Sequence, residues 1–171
     1  MIKPDLLRKQ RGQTEATPRW GTRSDVLTNN ICQQLTEYGF RSFQPAEIAL
    51  STDNFRPLVC ERSGSEIVEK EINFEVSASD AIRLKWAYLL ATFELGSAHE
   101  TNHPGLVIFD EPGQQEIDSG SLFAFLKRAG AAALARGQVI VSTSEPLALV
   151  QQEMGEHARI IDFPGFILQP S

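Results

Sequence analysis

One stretch near the middle of the chain, residues 105–118, constrains the fold more than any other. It runs Gly-Leu-Val-Ile-Phe-Asp-Glu-Pro-Gly-Gln-Gln-Glu-Ile-Asp, so four apolar residues lead into two adjacent carboxylates and a Pro-Gly break. An apolar run of this length that ends at Pro-Gly is typical of a strand buried on both faces. We therefore predict a buried strand over 106–109, with Asp110 and Glu111 at its carboxyl end, where open parallel sheets place their ligand sites.

The two adjacent acids indicate chemistry, because carboxylates at the edge of a core are costly unless a cation or a reaction uses them. In an enzyme that hydrolyses a nucleotide, the first acid would hold Mg²⁺, usually through water, and the second would activate the attacking water. A solvated acidic turn is the alternative. A metal-dependent nuclease or phosphatase is a weaker one, since neighbouring side chains of a strand point in opposite directions and rarely bind one ion together.

Periodicity along the rest of the chain predicts an α/β fold. From residue 106 onward, strands and helices alternate with short connections, which is typical of a mostly parallel sheet flanked by helices. An N-terminal helix and a β-hairpin precede this unit. The predicted helices cover 26–38, 81–95, 119–136 and 145–154, and the predicted strands cover 47–51, 56–62, 67–76, 106–109, 138–143 and 159–163. The predicted caps are Ser24 or Asp25 for the first helix and Ser79 or Asp80 for the second, with Gly39 and Gly96 as their ends.

Composition and charge bound the class of protein. With 171 residues, 42% of them hydrophobic, the chain is long enough for one domain with a core of its own. The net charge is −6, yet residues 1–41 carry seven Lys or Arg against four Asp or Glu. We interpret residues 1–23 as a poorly ordered basic lead-in and 24–171 as the folded domain. No apolar run approaches the ~20 residues of a membrane span, so we expect a cytoplasmic protein with no membrane partner.

Three segments carry chemistry in a fixed order along the chain. They are Ser-Ala-Ser-Asp at 77–80, Val-Ile-Phe-Asp-Glu-Pro at 107–112, and Val-Ile-Val-Ser-Thr-Ser at 139–144. In this order they resemble the C-terminal lobe of an ATP-binding-cassette (ABC) ATPase head, of the kind found in structural-maintenance-of-chromosomes (SMC) and SbcC/RecF-type DNA-repair ATPases. The resemblance covers residues 24–165 and implies that 24–171 form the C-terminal lobe of a P-loop NTPase head.

The resemblance assigns roles to three acidic residues. Asp110 matches the Walker B aspartate that binds magnesium, and Glu111 matches the catalytic glutamate that polarises water. Gln-Glu-Ile-Asp at 115–118 matches the D-loop, whose last residue, Asp118, contacts the opposing subunit in the family. ATP and Mg²⁺ are the implied cofactors.

The same resemblance implies a phosphate-contacting turn. Ser77, Ala78 and Ser79 match the signature motif, although Ala and Ser replace its usual glycines. A serine at a helix N-terminus offers a hydroxyl and free backbone N–H groups to a phosphate, aided by the helix dipole. A plain N-cap is the alternative, since Ser-x-x-Asp forms one by itself. Thr143 falls where many relatives carry the switch histidine, and an ordinary Ser/Thr-rich strand end is the alternative there.

The phosphate-binding loop of this superfamily, Gly-x-x-x-x-Gly-Lys-Ser/Thr, does not occur in the sequence. The implied function is therefore the Walker B and signature half of an SMC/SbcC-like ATPase in DNA repair, maintenance or defence, which hydrolyses ATP only when a Walker A-containing lobe or subunit completes it. That lobe, a second head in a nucleotide-bound dimer, and DNA contacted through the complex are the implied partners. We expect the isolated chain to be inactive. The alternative is a non-catalytic α/β binding or regulatory module.

Other conspicuous residues have structural interpretations. Trp86 lies at a helical core position, and Arg83 is expected to form a surface or inter-lobe salt bridge. His99, Glu100 and His103 could together bind a metal ion, but a polar loop is the favoured interpretation.

Overall fold

The computed structural model describes residues 18–63, 66–72, 76–113, 117–154 and 158–163. Within these ranges it contains four α-helices and five strands, which confirms the mixed α/β class. In chain order the elements are α1 (Pro18–Glu37), β1 (Ile48–Leu50), β2 (Pro57–Ser63), β3 (Glu66–Glu71), α2 (Ala78–Ala98), β4 (Leu106–Asp110), α3 (Ser119–Arg136), β5 (Gln138–Ser142) and α4 (Leu147–Met154). None of the described helices is long and apolar enough to cross a lipid bilayer.

The first helix is longer than the sequence predicts. α1 begins at Pro18 and includes Ser24 and Asp25, so the predicted cap at either residue is wrong. Of the predicted lead-in, 18–23 therefore belong to α1, and 1–17 lie outside the described residues. The apolar residues buried along α1 are Leu27, Ile31 and Leu35, which recur at helical spacing.

Two glycines that were expected to end helices behave differently. Gly39 follows α1 with φ of +71°, a left-handed conformation that favours glycine, so this prediction is confirmed. α2 instead continues through Gly96 to Ala98, so the predicted end is wrong. A Cβ atom on Gly96 would lie 2.6 Å from the Cβ of His103. Gly96 therefore allows the loop that leads to β4 to pass close to the helix.

The first three strands form an antiparallel sheet in the order β1-β2-β3. The predicted hairpin is confirmed, with Cys60 of β2 opposite Glu69 of β3. Every residue of β3 is exposed, so this strand contributes nothing to the core.

The strands β4 and β5 form the parallel part of the fold. They pair with Ile108 opposite Ile140 and Asp110 opposite Ser142, and α3 makes the crossover between them. This strand–helix–strand unit is the one that the sequence predicts from residue 106 onward. Residues 159–163, predicted as a third strand, are described without strand pairing, so that prediction is wrong. An extended run gains a sheet only when a neighbouring backbone accepts and donates its hydrogen bonds.

Among the described residues, the parallel pair is covered on one face only. Phe109 is buried, and Val107, Val139 and Val141 pack against the same core. On the opposite face Leu106 is 41% exposed, Ile108 is 59% exposed and Ile140 is 41% exposed. The predicted burial of β4 on both faces is therefore wrong for the described part of the chain. The helices α2 and α3 cover one side, and no described element covers the other.

An aromatic cluster joins four elements at the centre of the core. Trp86 of α2 stacks on Phe125 of α3 with ring centroids 4.7 Å apart. Phe109 of β4 meets the same Phe125 edge to face at 4.7 Å, and Tyr38 at the end of α1 contacts both Trp86 and Phe125. The core position predicted for Trp86 is confirmed. Phe125 is the ring that all the others share.

We expect Phe125→Ala to lower the free energy of unfolding by about 3–5 kcal/mol, because it empties the centre of this cluster. Urea denaturation followed by tryptophan fluorescence would measure the loss. Leu134→Ala is the matched control, since Leu134 lies on the same helix and is 72% exposed. Its effect should stay within about 0.5 kcal/mol. Equal effects of the two substitutions would contradict the core described above.

Candidate functional site

Asp110 and Glu111 lie at the carboxyl edge of the parallel pair, as the sequence predicts. Asp110 is the last residue of β4 and pairs with Ser142, the last residue of β5. The Glu111 backbone N–H donates to the Ser142 carbonyl oxygen at 2.8 Å, which extends the ladder by one bond. Asp110 is exposed, whereas Glu111 is partly buried. The two carboxylates therefore have different surroundings although they are adjacent in sequence.

Glu111 is held in an unusual backbone conformation. Its φ is +46°, a left-handed value that a non-glycine residue adopts at a cost of roughly 1 kcal/mol or more. Its carboxylate Oε2 accepts hydrogen bonds from the Ser144 backbone N–H at 3.2 Å and from the Ser144 hydroxyl at 3.1 Å. These two bonds turn the side chain towards the end of β5. Strained conformations of this kind cluster at active sites, where the surrounding structure holds them.

The contact at the end of β5 comes from Ser144, which the sequence analysis did not single out. Thr143, the residue assigned to the switch position, uses its Oγ1 to accept from the Glu145 backbone N–H at 3.3 Å. That bond stabilises the turn before α4, and Thr143 forms no hydrogen bond with Glu111. The sequence pattern identified the correct segment, residues 142–144. Which of its hydroxyls faces Glu111 depends on the path of the backbone.

The 77–79 turn begins α2 and has a conventional cap. The Ser77 hydroxyl accepts from the Asp80 backbone N–H at 3.2 Å, so Ser77 is the N-cap and the predicted caps Ser79 and Asp80 are wrong. Ser79 Oγ lies 3.3 Å from Ser77 Oγ, and Ala78 is exposed in the first turn. The plain N-cap named above as the alternative for Ser77 is therefore present. A cap uses the hydroxyl as an acceptor and leaves its proton for another partner.

Asp118 is tied into the protein by a buried arginine. Arg83 Nη2 lies 2.6 Å from Asp118 Oδ2, and Arg83 Nη1 lies 2.7 Å from Asp80 Oδ1. The Asp118 carboxylate also caps α3 by accepting from the Ser121 backbone N–H at 2.9 Å. Arg83 thus forms salt bridges as predicted, but it is only 6% exposed, so the predicted surface position is wrong.

The pKa values of the two aspartates follow from these contacts. Hydrogen bonds from the Ser121 hydroxyl and backbone N–H, followed by the bond from Arg83, lower the pKa of Asp118 to about 2. Burial alone would raise the pKa of Asp80, but hydrogen bonds from Ser42, the Arg41 backbone and Arg83 outweigh burial and lower it. Both carboxylates are therefore charged at neutral pH and balance the guanidinium between them.

The predicted site residues form two groups. Asp110, Glu111 and Thr143 lie at the carboxyl edge of β4 and β5, whereas Ser77 and Asp118 are linked through Asp80 and Arg83. No hydrogen bond between described residues joins the two groups directly. Residues 115 and 116, half of the predicted D-loop, lie outside the described residues.

Asp110 could hold Mg²⁺ only if a bound substrate supplied further oxygen ligands. Mg²⁺ in nucleotide sites is held by one or two carboxylates, by waters and by phosphate oxygens, so one exposed aspartate supplies a sufficient protein contribution. Among the described residues, no group of three or more His, Cys, Asp or Glu is arranged to hold a metal ion. At the alternative site His103 Nδ1 instead accepts from the Gly105 backbone N–H at 3.1 Å.

A comparison of the chain with protein-family models gave no match, and a search of curated proteins gave none either. The function is therefore inferred from the chain's own residues and contacts.

The lowered pKa of Asp118 has a consequence for stability. Because the charged form is favoured in the fold, this carboxylate contributes fully above about pH 4, and the contribution is lost as the pH falls from 3.8 towards 2. We expect Asp118→Asn to be less stable than the unmodified chain at pH 7 by up to about 1 kcal/mol, since the carboxylate is half-exposed. Urea midpoints between pH 2 and pH 7 should converge at the acid end. A difference that persists unchanged at pH 2, or that Asp53→Asn in an exposed turn reproduces, would contradict this assignment.

Proposed function

We propose that this chain is the Walker B and signature half of an ABC-type ATPase head of the SMC/SbcC-like class. It binds and hydrolyses ATP only after a lobe with a phosphate-binding loop completes the site. The observation that carries the proposal is the parallel β4–α3–β5 unit, which has two carboxylates at its carboxyl edge and one apolar face that no described element covers.

The first support is the position of the carboxylates. Ligands of open parallel sheets bind beyond the carboxyl ends of the strands, and Asp110 and Glu111 lie at that edge. Glu111 has a fixed direction because Ser144 holds its carboxylate from the neighbouring strand. Asp110 is exposed and available to a cation. One carboxylate for a metal and one oriented carboxylate for water is the division of labour that nucleotide hydrolysis needs.

The second support is the incomplete cover of the parallel pair. Parallel sheets are normally buried on both faces, because their crossover connections place helices there. Here Leu106, Ile108 and Ile140 form an exposed apolar face, and none of the described elements packs on it. A partner lobe that adds strands and helices to this unit would bury these side chains. The same lobe would bring the phosphate-binding loop that the sequence lacks.

In the completed head each residue has a definite task. Mg²⁺ bound with the nucleotide supplies charge neutralisation for the transferred phosphoryl group. Asp110 would hold that ion, and Glu111 would accept a proton from the attacking water. Ser77, at the N-terminus of α2, would contact the nucleotide held by the opposite head. Asp118 is bonded within its own chain, but its side chain is 59% exposed, which leaves room for a contact across the dimer.

We expect the purified chain to have negligible ATPase activity, because it cannot cradle the phosphates. Activity should appear in the full polypeptide that contains both halves, or after co-expression with a separately encoded Walker A lobe. Phosphate-release assays should then show that Asp110→Ala and Glu111→Gln each lower the rate about 100-fold or more. Glu100→Gln, in an exposed loop, is the control. Turnover by the chain alone that Glu111→Gln abolishes would refute the half-site, and a reconstituted rate that neither substitution changes would refute the assignment.

The contact between Ser144 and Glu111 can be tested in the same assay. Ser144→Ala removes the hydroxyl bond and leaves the backbone bond, so we expect kcat to fall about tenfold while the KM for ATP stays constant. Thr143→Val should have the smaller effect, because Thr143 contacts the α4 turn instead. A larger effect at Thr143 would assign the switch role to that residue after all.

A non-catalytic binding or regulatory module remains the second candidate. It is favoured by the missing phosphate-binding loop and by the ordinary capping roles of Ser77 and Asp118. Under this alternative Asp110→Ala and Glu111→Ala leave the biological function of the protein intact. Retained function in a genetic complementation assay would therefore favour the module over the ATPase.

A further inference from the structure

Arg83 forms hydrogen bonds to three different side chains. It lies in the second turn of α2 and is 6% exposed. Its guanidinium donates through Nη1 to Asp80, through Nη2 to Asp118 and through Nε to the Ser121 hydroxyl at 3.1 Å. A buried arginine is costly unless each of its edges is bonded in this way. The proposed function gave this residue no role.

On one side Arg83 reaches the 77–79 turn. Its partner Asp80 accepts from the Arg41 backbone N–H at 3.0 Å and from the Ser42 backbone N–H at 2.7 Å. The Ser42 hydroxyl also donates to Asp80 and accepts from the Ser77 backbone N–H. The Asp80 backbone N–H is the group that the Ser77 hydroxyl caps. The Asp80 carboxylate therefore fixes both the loop after α1 and the start of α2.

On the other side Arg83 reaches the start of α3. Asp118 caps that helix, and the Ser121 hydroxyl lies 2.6 Å from the Tyr38 carbonyl oxygen and 2.7 Å from Asp118 Oδ2. The end of α1 is thereby included in the same network. Two helix N-termini, each with a predicted site residue, thus share a single cation.

We infer that Arg83 is a positioning residue that couples the 77–79 turn to Asp118, so that a displacement at one is passed to the other. The inference deepens the proposed function, because the importance of the two ends rests on that assignment. A guanidinium suits this task because its planar fork fixes the angle between its two carboxylate partners, whereas a lysine ammonium has no such fork. The coupling itself is a property of the chain and needs no nucleotide.

Amide hydrogen exchange of the chain alone tests the coupling. With Arg83 present, Asp118→Asn should raise the exchange rates of the Ser42 and Asp80 amides about fivefold or more, although neither touches Asp118. In an Arg83→Lys background the same substitution should add little, because the link is already broken. The Leu90 amide in the buried middle of α2 reports any general loss of stability, and Asp53→Asn in an exposed turn controls for removal of a negative charge. Unchanged exchange at Ser42 and Asp80 after Asp118→Asn would overturn the inference.

The kinetic consequence is tested in the reconstituted ATPase. Arg83→Lys should lower kcat about 10- to 100-fold with little change in the KM for ATP, because the 77–79 turn and Asp118 lose their relative alignment. Lys85→Met, at an exposed position of the same helix, should leave both constants unchanged. An unaffected kcat for Arg83→Lys would overturn the positioning role even if exchange reveals the coupling. If Glu111→Gln is as active as the unmodified protein, the proposed function fails instead, and the exchange experiment still decides whether Arg83 couples the two turns.

Discussion

The structure depends most on the interface between α2 and α3, which is held by an ionic contact at each end and by aromatic rings in the middle. Arg83 joins the two N-termini, while Arg128 of α3 bonds both oxygens of Glu94, with Nε 2.5 Å from Oε1 and Nη2 3.0 Å from Oε2. Between them Trp86 stacks on Phe125. The hydrogen bonds to Glu94 raise the pKa of Arg128, so its guanidinium stays charged. Bidentate pairs of this kind set an angle between helices as well as a distance.

This interface determines which face of the parallel pair is covered. α2 and α3 pack on the side of Phe109, and Leu106 and Ile108 on the other side of β4 remain exposed. The β4–α3–β5 unit therefore has one face packed into the core and one apolar face that no described element covers. A composite enzyme needs this combination, because a half that folds alone must still present an apolar face to its partner.

The two carboxylates at the end of β4 also have different surroundings. Glu111 has a left-handed backbone and two hydrogen bonds from Ser144, which hold its carboxylate in one direction before any ligand arrives. Asp110, one residue earlier, is exposed. An oriented base beside an available metal ligand is an arrangement that becomes useful when phosphate oxygens are delivered. A pre-oriented Glu111 and an accessible Asp110 are what a site shared between two lobes would require.

Spacing along the sequence was sufficient to predict most of the helices and strands and to locate the two carboxylates at the end of β4. The apolar run before Asp110 and the helical stripe of α1 are encoded within a few residues, so spacing alone predicts them. The packed structure was needed to show that residues 159–163 lack a strand partner and that Ser144, rather than Thr143, meets Glu111. It was also needed to show the role of Arg83, whose partner Asp118 lies 35 positions away in sequence. Such contacts depend on how helices pack, and a pattern of neighbouring residues carries no information about which distant side chains will meet.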